Sequence, residues 1–346
     1  MSLLLIKTHR LTSFDDPMIG RERWNGLLQE SGCRSVFLTW EWQQAWWQSF
    51  GRGQLLLVAA EVNGEIVALA PFFAEAGMIY FVGSGGSDYL DFIGQTAEAE
   101  VVVALLEGAR QAVPNFIGFV FYHLPESSPS LGRLEEAAQR LSLTCFDEGE
   151  LVAPALEWSS QPEVAVAAAN KKSLVRHERS LRREGRLDVC HWRTGEEILP
   201  QLDEFFGQHR ARWQQTPFPS LFCEPAQCAF YQRLTTLAGE TGWLRFTRID
   251  WNGRAIAFHF GFCYRGRFLW YKPSFDIGMA RHSPGEVLLR QLLLAAIEEG
   301  AHTFDFGLGE EAFKSRFANR VHKVRTLGAY APSALPSATV AEGRKA

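Results

Sequence analysis

An α/β fold with mixed sheets, laid out as two tandem copies of one module, follows from three observations. The chain has 346 residues, enough for two domains that each bury a core. Asn63-Gly64 and Asn252-Gly253 each separate two strand-like runs, the pairing expected of a hairpin because both turn positions tolerate positive φ. The same order of elements then follows each turn, at an offset of about 185–190 positions.

In the first half, Leu55 to Val62 reads as a strand and Glu65 to Ala74 as its return. Met78 to Val82 is a third strand, ended by Gly83 to Gly86. A loop through Asp91 leads to a helix over Ala97 to Ala112, and Phe116 to Tyr122 is a buried-type strand. In the second half, Trp243 to Asp250 and Arg254 to Tyr264 flank the turn. Arg267 to Lys272 is the third strand, broken by Pro273. A helix from Pro284 to Glu299 leads to a closing strand at Thr303 to Phe306. Helices over Thr39 to Phe50, Ile198 to Trp213 and Ala226 to Gly239 precede the sheets. The expected boundaries are a first module over 1–160, a second over 161–330, and a disordered Ala/Pro/Ser-rich tail over 331–346.

Composition narrows the function classes. A net charge of -4 gives no support for a chain-wide nucleic-acid or anionic-membrane binder. The six cysteines form no CxxC pair and no Cys/His metal spacing, so no metal is expected, and scattered thiols fit a reducing cytosol. The apolar run Leu3 to Ile6 is too short for a signal-peptide core, and Val287 to Ile297 is too short for a membrane span. A cytoplasmic protein is expected.

The sharpest local signal is Arg281-His282-Ser283-Pro284-Gly285-Glu286-Val287. Ser283 and Glu286 have capping-box spacing, and Pro284 suits a first helical position. A helix start presents free N–H groups and a positive dipole end, so it either is simply well capped or binds an anion. Its place between a strand and a parallel return strand favours the anion. The matching loop of the first copy, Asp88 to Thr96, has no such sequence. On Arg254 to Tyr264 one face carries Ala255, Ala257, His259, Gly261 and Cys263. Small residues around one histidine make either a face for a close-packed helix or a channel wall with His259 as proton acceptor. Asp305 lies between Phe304 and Phe306, so its carboxylate must be paired or shifted. Lys314 shares a segment with Phe313 and Phe317. Lys171 to Arg186 holds seven Lys/Arg against two Glu, which reads as a solvated helix face or as a site for an acidic acceptor, a nucleotide-sugar or lipid phosphate, or tRNA.

The second half, GWLRFTRIDWNGRAIAFHFGFCYRGRFLWYKPSFD through SPGEVLLRQLLLAAIEEGAHTFDFGLGEEAFKSRFAN, together with VFLTWEWQQAWWQSFG, resembles the CelD-like acetyltransferases linked to cellulose or exopolysaccharide biosynthesis. These have the GNAT fold in its duplicated, FemAB-type form. The resemblance implies two GNAT-like modules and an acyl-CoA co-substrate, acetyl-CoA above all, bound by Arg281, His282, Ser283, Gly285, Glu286 and Val287. It implies a small-molecule, sugar or envelope-precursor acceptor in the cleft between modules. His259, Asp305 and Lys314 are the expected catalytic residues, with Lys314 matching a lysine that matters in FemAB-type relatives. Trp270, Tyr271 and Lys272 are the expected substrate contacts. The alternatives are a FemAB-type aminoacyl-tRNA-dependent transferase and a non-catalytic GNAT-like scaffold.

Overall fold

The computed structural model describes residues 5–159, 161–214 and 216–334. The chain divides into two compact units, Met1–Leu151 with Lys323–Ala346, and Val152–His322.

In the first unit, β1 (Ile6–Leu11), β2 (Gln54–Val62), β3 (Glu65–Glu75) and β4 (Met78–Phe81) pair antiparallel in sequence order. Asn63 and Gly64 turn between β2 and β3 with φ of 53° and 87°, the left-handed pair that the dipeptide supplies cheaply. A two-residue β5 (Ile93–Gly94) adds to β3. The helix Ala99–Gln111 then returns the chain to β6 (Gly118–Pro125), which runs parallel to β4. The helix Trp40–Phe50 is capped by Thr39, whose side chain accepts from the Trp42 N–H.

The next strand, β7 (Thr144–Glu157), contains the boundary between the units. The second unit continues with β8 (Leu187–Trp192), β9 (Leu244–Trp251), β10 (Arg254–Tyr264) and β11 (Arg267–Phe275), again antiparallel in sequence order. The helix Pro284–Glu298 crosses to β12 (Thr303–Asp305), parallel to β11. Each unit therefore has the same plan: three antiparallel steps, one helical crossover, one parallel step. In the second unit β12 also pairs antiparallel with residues 155–157 of β7. In the first unit, β6 pairs antiparallel with residues 324–330 of β13 (Arg320–Tyr330).

Two expectations need correction. The third strand of the second half does not stop at Pro273 but runs to Phe275, with Pro273 opposite His259. Proline is tolerated there because the pairing of β11 with β12 ends at Leu269, so no strand beyond it needs the missing N–H. Residues 331–334, expected within the disordered stretch, are ordered: the Ala331 N–H donates to the Ile117 carbonyl at 2.9 Å, and residues 332–334 form a short 3-10 turn. The rest of the expected disordered stretch, 335–346, lies outside the described residues, as do residues 3 and 4 of the N-terminal apolar run. Among the described residues no helix is long and apolar enough to cross a membrane.

Candidate functional site

The sequence-expected residues of the second unit gather on β10, β11, β12 and the segments that follow β11 and β12. The parallel pairing of β11 with β12 lasts only from Arg267–Thr303 to Leu269–Asp305. Beyond that, among the described residues β11 pairs with β10 as its one strand neighbour, through Phe275, and the Pro273 carbonyl accepts from Arg212 Nη1 at 3.0 Å. Half of one strand edge is thus left without a strand partner. Backbone N–H and C=O groups on such an edge need another partner.

Opposite this half-edge, β10 and β11 change register. Phe260 pairs with Lys272 and Phe262 with Leu269, which leaves Trp270 and Tyr271 opposite the single residue Gly261. His259 fills the space that the bulge makes. Its Nε2 accepts the Tyr271 N–H at 3.2 Å, and its ring stacks between Phe268 and Trp270 at 6.1 and 5.6 Å. A Cβ on Gly261 would lie 2.2 Å from His259 Cε1, so glycine is what gives the ring room. The histidine is fully buried, and burial pushes its pKa down to about 3. The small residues of this face admit the helix Pro284–Glu298, and His259 is a neutral core histidine rather than the wall of an open channel. Trp270 also meets Phe313 at 6.0 Å. Tyr271 is buried, and the half-exposed Lys272 ammonium sits 4.0 Å over the Tyr271 ring.

Asp305 ends β12 and is 1% exposed. It accepts from Arg267 Nη1 at 3.0 Å and from the Gly307 N–H at 2.8 Å. The pairing demanded by its burial thus comes from β11, from a residue 38 positions away that no local spacing marks. Lys314 is 3% exposed and holds the turn after β12. Its Nζ donates to the Leu308 carbonyl at 2.7 Å and the Gly307 carbonyl at 3.3 Å, and pairs with Glu311 at 2.7 Å. Asp305 from one side and Lys314 from the other fix the Gly307–Gly309 turn. Gly307 and Gly309 take φ of 69° and 116° there, a backbone that favours glycine.

The loop at 281–287 differs from the capping box that its spacing suggests. Ser283 is left-handed, with φ of 53°, and makes no side-chain cap. Glu286 points away to Arg316 Nη1 at 3.0 Å, with His177 Nε2 3.5 Å from its other oxygen. The Glu286 and Val287 N–H groups both turn to the Ser283 carbonyl, and Pro284 has none. Gly285 remains as the first-turn N–H able to meet a ligand. Arg281 is exposed, and its Nε lies 2.9 Å from His282 Nε2, while the His282 ring lies against Trp251. The loop offers one backbone donor, one exposed cation and the positive end of a 15-residue helix. Among the described residues no His, Cys, Asp or Glu cluster could hold a metal.

The comparisons with known proteins point to one fold family. Residues 168–315 match the model of the acetyltransferase (GNAT) domain, all within the second unit. A search of curated proteins returns no match. Among solved structures, FemX aligns over 94% of this chain and 97% of its own, at a TM-score of 0.66 and 8% identity. L-PGS from Bacillus licheniformis aligns over 93% and 94%, at 0.58 and 14%. A tandem GNAT protein from the clavulanic acid biosynthesis pathway aligns over 96% and 100%, at 0.51 and 12%. The chain therefore has a mixed α/β fold with a GNAT domain, similar to FemX and to tandem GNAT proteins.

Proposed function

We propose that this chain, with a GNAT-type acetyltransferase domain over 168–315, is an acyl-CoA-dependent acyltransferase acting on a hydroxyl or amine of a sugar or cell-envelope precursor. The CelD-like sequence resemblance supports the envelope-polysaccharide assignment. The observation that carries the reading is the half-edge of β11 beyond Leu269, whose last residue, Phe275, sets its ring 3.3 Å from where a Cβ on Gly285 would lie. An extended, amide-bearing arm can complete such an edge as a further strand would. Gly285, Arg281 and the helix dipole fit the phosphate end of the same molecule, with fewer donors than a glycine-rich loop gives.

When bound, acyl-CoA supplies an activated thioester. This chain's own residues would hold and polarise it. The β12 side of β11 beyond Leu269 would meet the arm, and a backbone donor held at its carbonyl would contribute about 2.7–4 kcal/mol to acyl-transfer chemistry. His259 fixes the bulge that aims Trp270 and Tyr271, while Asp305 and Lys314 hold the turn beyond β12. In this reading all three are positioning residues. Trp270, Tyr271 and Lys272 line the acceptor side.

The test is a thermal shift and a free-thiol release assay with acetyl-CoA. At 10 to 100 times Kd the melting point rises by the equivalent of about 1.4–2.7 kcal/mol, and Gly285→Glu removes the rise. If millimolar CoA thioesters give neither shift nor thiol, the proposal fails. A second reading, aminoacyl transfer from charged tRNA, draws support from the basic helix Lys172–Glu184, and salt-sensitive RNA binding is its test.

A further inference from the structure

The helix Lys172–Glu184 carries more positive charge than its surroundings neutralise. Arg182 pairs with Glu178 at 2.8 Å, and Arg183 with Glu184 at 3.4 Å. Lys172, Arg176 and Arg179 are exposed and have no carboxylate partner among the described residues. Their spacing, i, i+4 and i+7, puts them on one stripe of the helix, and Arg183 extends it. Like charges at this spacing repel, so the stripe weakens the helix that carries it. The helix is amphipathic, with Leu174 and Leu181 buried below, so its fold does not need these cations.

The stripe is one wall of a concavity of about 860 Å³. Arg290, from the helix Pro284–Glu298, stands in the other wall. It donates to Glu178 and to Asn170, and its Nε is buried with no hydrogen-bond partner among the described residues. Six cations (Lys172, Arg176, Arg179, Arg182, Arg183 and Arg290) face the concavity against the single carboxylate of Glu178. The chain as a whole has a net charge of -4, so this is a local concentration of positive charge and not a basic background.

We infer that this concavity in the second unit is a binding site for a small ligand carrying two or more linked phosphate groups. Six cations, offset by Glu178 and by Glu184 behind Arg183, leave four net positive charges on a volume typical of small-molecule pockets, which run to roughly 300–1,000 Å³. Single carboxylates bring one charge each. A terminal phosphate brings about 1.5 to 2 at neutral pH and a bridging one about 1, so two or three linked phosphates balance the lining within that volume. Guanidinium forks match phosphate oxygens two at a time, and five of the six cations are arginines. The inference does not rest on acyl transfer, and the site is lined by none of the residues of the 281–287 loop.

The experiment uses the full chain and sodium tripolyphosphate as the probe, with sulfate at matched ionic strength as the control, measured by calorimetry. Tripolyphosphate is expected to bind more tightly than sulfate. The triple variant Lys172→Gln, Arg176→Gln, Arg179→Gln should lose at least about tenfold in affinity. Because these side chains are exposed and repel one another, the triple variant should melt no lower than the parent, which separates lost binding from lost folding. Gly285→Glu, which tests the acyl-CoA loop, should keep the tripolyphosphate binding that the triple variant loses. The inference is overturned if the triple variant binds as the parent does, if Gly285→Glu alone abolishes binding, if millimolar tripolyphosphate does not bind, or if only an RNA oligomer or anionic phospholipid vesicles bind.

Discussion

His259 gives a stability prediction whose sign and size both come from its surroundings. Its ring is fully buried, its Nε2 takes the Tyr271 N–H, and its pKa falls from 6.5 to about 3. With Nε2 as acceptor, the neutral ring carries its proton on Nδ1, which has no partner among the described residues. The folded state favours the neutral ring, so the stabilisation is fully present above pH 6.5. It is lost as the pH falls towards 3, because the unfolded chain binds a proton that the folded chain refuses. One such proton is worth about 1.4 kcal/mol per pH unit, or roughly 2.7 kcal/mol between pH 6.5 and 4.5. His209, with a pKa near 3, contributes in the same direction, while Asp91, raised by burial to about 6, opposes it. Both remain in a His259→Gln variant and cancel in the comparison. Glutamine keeps an acceptor for Tyr271 but does not titrate. The variant should be less stable at pH 7.5, and the gap should close by about 2.7 kcal/mol at pH 4.5. Urea unfolding at several pH values, followed by tryptophan fluorescence, measures it. A gap that stays constant from pH 7.5 to 4.5 would falsify the account of His259 as a neutral core residue.

Two further outcomes test the packing around the half-edge. Arg267→Met removes the cation that pairs with the buried Asp305 carboxylate and should cost about 3–5 kcal/mol; adding Asp305→Leu should recover most of that loss, read as urea midpoints. Gly261→Ala places a Cβ 2.2 Å from the His259 ring and 2.5 Å from the Leu269 carbonyl, and should cost about 2 kcal/mol or more. The pair Gly261→Ala with His259→Ala should then be less damaging than the sum of the singles, because the ring that clashes is gone while the carbonyl remains.

The repeated plan of the two halves could be read from local signals. Asn63-Gly64 and Asn252-Gly253 turn as their backbone freedom predicts, with positive φ at all four residues. The helix starting at Pro284 was legible because proline, acid and an apolar run act within a few residues. The features around it were less so. Ser283 and Glu286 have the spacing of a capping box, yet Arg316 and His177, distant in sequence, draw the carboxylate away. The partner of Asp305 comes from β11, and the role of Gly261 appears only once a bulge sets His259 beside it. β13 carries little strand signal, because most of its first half is exposed and it lacks clean alternation. Side-chain alternation separates the faces of a strand, but it does not say which strand will lie alongside.

The closing strands bear on how the molecule can be made. Gly118 on β6 pairs with Tyr330 near the end of the chain, so during synthesis the first unit waits with an open edge while the whole second unit emerges from the ribosome. The second unit meets no such delay, since residues 155–157 of β7 are already present when β12 arrives. The half that begins first is therefore completed last, and a nascent chain halted before residue 320 would expose a strand edge prone to pairing with a neighbouring chain.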